Sequence, residues 1–215
     1  MKDHYIVCGF GRVGKQVVTQ LKASKIPVVV IDSNPELETK MQNLNIPYIV
    51  GTLSSDEVLK KANVQIAKGL VACADSDVEN VFVTLSARTI NPSLQITARA
   101  SDPANEDKLR RAGANYVVSP YLTTGQKISS MILNPSVADF LDRVLHDNSL
   151  EVWVQEVKVP KTSRQIGKTL QQIDLRKKTG VIVLAIKQRQ DTFNLSPDAS
   201  TKLQAEDILI CIGSS

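Results

Sequence analysis

The sequence predicts an α/β fold: a doubly wound parallel sheet, then a helical crossover, then a small α+β C-terminal domain. Three observations carry this. Strand-like apolar runs recur near residues 5, 28, 48, 70, 95 and 116, about 22 residues apart, as alternating strands and helices require. A glycine run, Cys8-Gly9-Phe10-Gly11-Arg12-Val13-Gly14, turns the first apolar run into a helical pattern. After Pro120 the rhythm changes, and from Leu150 the chain reads as short alternating strands. At 215 residues there is room for one large domain or two small ones. The changes of pattern place the domains at 1–119, 120–145 and 146–215.

Tyr5-Ile6-Val7-Cys8 is the first strand. Gly9 permits a tight turn, Gly11 lets backbone approach a pyrophosphate with no Cβ in the way, and Gly14 allows close packing of helix on strand. In this strand–helix context the G-x-G-x-x-G run reads as a Rossmann-like nucleotide loop. Val13, Val17, Val18 and Leu21 form the helical stripe, and Val28-Val29-Val30-Ile31 is a second buried strand. It ends at Asp32, 23 residues after Gly9, where a carboxylate would meet a ribose hydroxyl. Asn34-Pro35 predicts a cap and first helical residue, with Leu37, Met41 and Leu44 as the stripe.

Tyr48-Ile49-Val50 is the third strand; Gly51-Thr52 turns from it, and Ser54 or Ser55 caps a helix whose Val58, Leu59 and Ala62 pack inward. Leu70-Val71-Ala72-Cys73 is the fourth, breaking at Ala74-Asp75-Ser76-Asp77 into a helix with the stripe Val78, Val81, Phe82, Leu85. Gln95-Ile96-Thr97-Ala98 runs into Arg99, Asp102-Pro103 opens a helix that Gly113 ends, and Tyr116-Val117-Val118 is the sixth strand. Strands this continuously apolar are covered by helices on both faces.

Residues 122–145 form a helical crossover broken once at Asn134-Pro135. Ile128, Met131, Ile132, Val137, Phe140, Leu141, Val144 and Leu145 give it more apolar surface than a small lobe needs, and the excess is expected to meet a partner. Leu150, Val152 and Val154 alternate, and Val157 and Val159 resume out of phase, predicting a β-bulge before Pro160. Ile166, Leu170 and Ile173 make a short helix; 181–186, 192–195 and 208–212 are strands, with a polar turn at 187–191.

In a doubly wound sheet, ligands bind beyond the carboxyl ends of the strands, where the strand order reverses. The residues at those ends are the candidate nucleotide site: Gly9, Phe10, Gly11, Arg12, Val13 and Gly14; Asp32 and Ser33; Thr52 and Leu53 after Gly51; Ala74, Asp75 and Ser76; and Arg99. Arg12 and Arg99 could each present a guanidinium fork to phosphate, a geometry lysine lacks. Ser33 follows Asp32 with no arginine close behind, so NADP is the least favoured nucleotide.

Catalytic groups are missing. His4 and His146 fall outside the cleft and read as surface residues, and no Ser-His-Asp order, H-E-x-x-H or Cys/His metal spacing occurs. Asp75, Asp77 and Glu79 stand at a helix start, where acids serve the dipole more often than a cation. The nucleotide is therefore expected to be read and not consumed. An NAD-dependent oxidoreductase is the alternative from another class.

The formal charge of +4 is spread over 26 basic and 22 acidic residues with 4% aromatics, which excludes a dedicated nucleic-acid surface. Cys8, Cys73 and Cys211 each lie in an apolar run without C-x-x-C spacing and read as buried thiols in a reducing compartment. No apolar run approaches the ~20 residues needed to span a bilayer. Met1-Lys2-Asp3-His4 is polar, so neither a signal peptide nor a membrane span is expected and the protein is placed in the cytoplasm.

His4 to Gly14, Gly51, Ala74-Asp75-Ser76-Asp77 with Asn80, Thr97-Ala98-Arg99-Ala100, Ala112-Gly113-Ala114 and Ser119-Pro120 together resemble the regulator-of-potassium-conductance (RCK) family, also called the Trk/Ktr N-terminal domain. The tail from Leu150, ending Gln204-Ala205-Glu206-Asp207-Ile208-Leu209-Ile210, is similar to its C-terminal subdomain. The resemblance implies a cytosolic gating module of potassium channels or transporters that binds NAD(H), ADP/ATP or, in some members, calcium. It also implies homodimers paired through the crossover helices, four of which make an octameric ring under a pore, peripheral to the inner face of the membrane. Thr52 stands where the family commonly has an acid, and Asn115 where Asp is usual. The positions of the calcium-gated members' carboxylates align to Cys73, Arg99 and Ser101, which favours a nucleotide effector over that calcium site.

Overall fold

The computed structural model describes residues 3–146, 152–188 and 192–214. The chain divides into two compact units, 1–127 and 128–215, with the division inside the crossover helix.

In the first unit, six strands β1 (Tyr5–Cys8), β2 (Val28–Asp32), β3 (Tyr48–Val50), β4 (Gly69–Ala72), β5 (Gln95–Arg99) and β6 (Tyr116–Val118) form one parallel sheet in the order β3-β2-β1-β4-β5-β6. The order reverses between β1 and β4, so the loops leaving those strands diverge and open a crevice. Helices α1 (Arg12–Ala23) and α2 (Leu37–Asn43) contribute Val18 and Met41 to a core with Val7, Val28 and Val30. Helices α3 (Asp56–Lys61), α4 (Asp77–Ile90) and α5 (Glu106–Arg111) contribute Leu59, Val83, Ala87 and Leu109 to a separate core with Ile6, Cys8, Val29 and Ile31. Successive residues of β1 and β2 thus point into different cores. Both faces are covered, which is why these strands are apolar at every position.

The first unit departs from the sequence expectation in three places. The stripe of α4 is not Val78, Val81, Phe82, Leu85: Val78, Phe82 and Leu85 are exposed, and the buried face is Asn80, Val83, Thr84 and Ala87. Polar residues take the inner face because they satisfy backbone groups there, Asn80 at the strand ends and Thr84 by donating to Asn80 O at 2.7 Å. Asn34 does cap a turn, accepting from Glu36 N at 2.9 Å, but α2 begins only at Leu37, and Leu44 is exposed. His4 is not a surface residue: it is fully buried and bonded through Nε2 to Ala62 O at 2.8 Å.

The crossover consists of α6 (Pro120–Leu133) and α7 (Pro135–His146), broken at Asn134 as expected. Ile128, Met131, Ile132, Val137, Phe140 and Leu141 are exposed.

The second unit carries strands β7 (Val152–Lys158), β8 (Ile182–Lys187), β9 (Phe193–Asn194) and β10 (Ile208–Ser214) in an antiparallel sheet of order β7-β10-β8-β9. Helices α8 (Leu170–Ile173) and α9 (Leu175–Thr179) lie between β7 and β8 in the chain. Leu170 to Ile173 is capped by Thr169 and Gln172 in a reciprocal capping box. Ile166 falls outside the helix. One core gathers Val159, Ile173, Ile186, Leu203, Leu209 and Cys211. The bulge expected in β7 is not there, because Val159 lies beyond the strand and β7 pairs with β10 in continuous register. The register shift is on the other side, at Ile210/Cys211 against β8. Leu150 and residues 189–191 of the expected polar turn lie outside the described residues.

Candidate functional site

At the end of β1, Gly9 takes φ +97° while its amide donates to Ile31 O at 2.8 Å. A Cβ on Gly9 would come within 2.9 Å of Ala74 N and Cys73 O, and one on Gly14 within 1.9 Å of Gly9 O. The loop's approach to the end of β4 and the first turn of α1 therefore demand both glycines. Gly11 differs. It is the N-cap of α1 with φ −68°, and the nearest atom to a Cβ there would be Asp75 Oδ1 at 3.5 Å, an ordinary contact.

Asp32, at the end of β2, faces this loop: Oδ2 accepts from Phe10 N at 2.6 Å and Oδ1 from Asn34 N at 2.9 Å. A carboxylate with two N–H donors keeps acceptor capacity for a hydroxyl. Phe10 itself is buried, with Lys40 Nζ 5.9 Å from its ring centroid, and Val13 packs against the same core. Ser33 and Thr52 are exposed at their strand ends, whereas the Leu53 side chain is buried in the core, which leaves only its backbone for the cleft.

Across the crevice, the Ala74 to Asp77 turn is held by Asn80. Its Oδ1 accepts from Ala74 N at 2.8 Å, and its Nδ2 donates to Ala74 O at 3.1 Å and Arg99 O at 3.0 Å, tying the ends of β4 and β5 together. The Ala74 backbone is thus committed to the scaffold. Arg99 is 8% exposed; its Nη1 donates to Ala74 O at 3.1 Å and Asp75 Oδ1 at 3.0 Å, and its buried Nε has no partner. Asp75 is itself mostly exposed, so the buried cation meets its counter-ion at the cleft surface. Ser76 caps α4 by accepting from Glu79 N.

Asp77 has a structural task. It accepts from Ser101 N at 2.6 Å, Asp102 N at 3.0 Å and Asn105 Nδ2 at 2.9 Å. Burial alone would raise its pKa, but these donors, the Ser101 amide foremost, hold it below the ordinary aspartate value.

Arg12, first residue of α1, is exposed, and its Nη2 donates to the Tyr121 hydroxyl at 3.0 Å. Tyr121 was absent from the sequence-derived site. It lies 109 residues away in α6, and nothing in its local sequence marks it.

The thiols of Cys8 and Cys73 are buried and unpaired with each other. Burial pushes Cys73 up to about 12 and Cys8 well above its ordinary value. They contribute to cores on opposite faces of the sheet, and Cys73 Sγ donates to Gly9 O at 3.2 Å. His4, just before β1, is at the far end of that strand from the loop.

The structure thus brings together the glycine loop, Asp32, Asp75 and Arg99, with Arg12 reaching away to Tyr121. A parallel sheet of this order, with a glycine turn at the switch point and an acid ending β2, defines a Rossmann-type α/β lobe. The TrkA-N domain matches residues 5–120 and the TrkA-C domain residues 154–215. The chain belongs to the TrkA-N domain family.

It is 38% identical over 216 residues to potassium channel protein 1 of Methanocaldococcus jannaschii, covering 99% of this chain and 64% of that one. It is 26% identical over 215 residues to Ktr system potassium uptake protein C of Bacillus subtilis, covering 100% and 93%. Among solved structures, the GsuK channel bound to NAD aligns with a TM-score of 0.55 and 26% identity, over 100% of this chain and 37% of that one. The chain therefore spans about two thirds of the channel relative's length, 64%. No helix among the described residues is long and apolar enough to cross a membrane.

Proposed function

We propose that this chain is a ligand-sensing gating module that regulates a potassium channel or potassium transporter by binding a nucleotide, ADP/ATP or NAD(H), without consuming it. The observation that carries the reading is Gly11. Gly9 and Gly14 are explained by contacts inside the protein, but a side chain at Gly11 would clash with nothing. The space it leaves faces the cleft between Asp75 and the start of α1, where a phosphate would need close backbone approach. In this reading the loop from Gly9 to Gly14 holds the phosphates, and Arg12 and Arg99 offset their charge. Asp32 takes the ribose, and Ser33, Thr52, Leu53, Ala74, Asp75 and Ser76 form the rim. The NAD-bound GsuK channel supports the ligand class, and the potassium channel and uptake relatives support the partner.

Among the described residues the cleft carboxylates are engaged, Asp32 by the Phe10 and Asn34 amides and Asp75 by Arg99, which supports a binding module over an enzyme. Calcium is not the favoured ligand, since Asp77 already accepts three hydrogen bonds from the protein and Asp75 is paired with Arg99. The exposed apolar faces of α6 and α7 pair two copies into a homodimer, and dimers assemble into an octameric ring under the pore, at the inner face of the membrane. A ligand shifts gating only by its differential affinity for the two states, about 1–3 kcal/mol per site, so a ring of sites builds a steep response from modest terms.

Thermal-shift titration with ADP, ATP, NAD, NADH and calcium tests the reading. At about 100-fold excess over Kd, a nucleotide is expected to stabilise the wild-type chain by ~2.7 kcal/mol. Arg12→Ala and Asp32→Ala are expected to reduce that gain. If none of the nucleotides stabilises the wild type, the reading fails.

A further inference from the structure

We propose that Tyr121 sets the affinity of the cleft for phosphate by competing with a bound nucleotide for the Arg12 guanidinium; the inference rests on the nucleotide reading above. Arg12 begins α1 at the positive end of that helix's dipole, where a cation is disfavoured. Among the described residues no carboxylate pairs with it, and its hydrogen bond goes to a neutral phenol. That phenol lies on the far side of the cleft. Arg12 follows β1 and Tyr121 follows β6, and in the sheet order β4 and β5 stand between those strands. Three strand spacings amount to about 14 Å. The Arg12–Tyr121 bond therefore spans from the carboxyl end of β1 to that of β6, on the side of the sheet where the crevice opens.

The two arginines are consequently not equivalent. Arg99 is buried and fixed by Ala74 O and Asp75, so a ligand meets it where it stands. Arg12 is exposed, with Nη2 held on Tyr121, and a phosphate at the glycine loop gains the full guanidinium fork, Nη2 included, by drawing it off Tyr121. A phosphate oxygen is a stronger acceptor for guanidinium than a neutral hydroxyl, so phosphate wins, at the cost of the Tyr121 bond. By linkage, anything that draws Tyr121 and the first turn of α6 away from Arg12 tightens nucleotide binding, and nucleotide in turn frees Tyr121.

Calorimetric titration of the intact chain with ADP, ATP, NAD and adenosine tests this in wild type, Tyr121→Phe, Arg12→Ala and the double variant. Tyr121→Phe keeps the ring and removes only the hydroxyl. It is expected to tighten whichever phosphate-bearing ligand binds by about two- to tenfold, the worth of one exposed hydrogen bond. Adenosine binding should not change, and the gain should vanish in the Arg12→Ala background. Unchanged or weaker nucleotide binding by Tyr121→Phe, or a gain that persists without Arg12, overturns the inference alone. A wild-type chain that binds none of ADP, ATP and NAD overturns the site reading and this inference with it.

Discussion

Both faces of the six-stranded sheet are covered by the first unit's own helices, with Ile6, Cys8 and Ile31 in one core and Val7, Val18 and Val30 in the other. Among the described residues the four-stranded sheet gathers one core and leaves Ile182 and Leu184 each 42% exposed. In β10, Leu209 and Cys211 are buried while the alternating Ile208, Ile210 and Ile212 are only half-buried. The difference separates two kinds of surface. At its strand ends the first unit presents a polar cleft fixed by Asn80, Asp77 and Asp32, with Val50 and Val118 exposed at the ends of the two outer strands β3 and β6. The second unit leaves apolar residues on a sheet face, as a surface that meets protein does.

The first unit is expected to tolerate change at its loop far less than the second tolerates change at its turns. Gly14→Ala is expected to cost more than ~3 kcal/mol, because its Cβ would lie 1.9 Å from Gly9 O and backbone must move on both sides. Gly180→Ala, at φ +75° with nothing within 4 Å of the new Cβ, is expected to cost about 1–2 kcal/mol from the left-handed backbone alone. Urea unfolding followed by circular dichroism measures both. Trp153, the chain's one tryptophan, packs on the second unit's core and reports that unit separately. A Trp153 transition that moves with Gly14→Ala as far as the dichroism does would erase the distinction.

Asp77 gives an effect between those of the two glycines. Its carboxylate is held below the ordinary aspartate pKa, so the stability it contributes is complete above the unfolded value of about 3.9 and is lost as pH falls through the lower folded value. Asp77→Asn is expected to destabilise the chain by about 1–3 kcal/mol at pH 7. The gap between variant and wild type should narrow below about pH 4. Stability curves at several pH values check it; a gap that widens in acid would contradict the assignment.

The succession of strands and helices, the glycine loop, Asp32 and the break at Asn134 were legible because each is local: an apolar run, a glycine spacing, an acid at a strand end, a proline. The face of α4 was not. Val78, Phe82 and Leu85 keep helical spacing as well as the buried residues do, and periodicity cannot say that Asn80 turns inward to satisfy Ala74 and Arg99 backbone groups. The partners of the cleft residues were hidden for a related reason. Asp77 with Ser101, and Arg12 with Tyr121, meet across 24 and 109 residues through side chains whose contacts only the folded sheet order creates. The misplaced bulge of β7 came from counting Val159 as part of a strand that ends at Lys158.

The proposed nucleotide site belongs to the first unit alone and is built from its strand ends. Amide hydrogen exchange of the intact chain, with and without saturating ATP or NAD, tests it directly. Protection is expected in residues 9–14, 32–34, 51–53, 74–77 and 99–101, with the second unit's core strands unchanged. Protection centred on residues 152–214, or none at the glycine loop under conditions where nucleotide is bound, would contradict it.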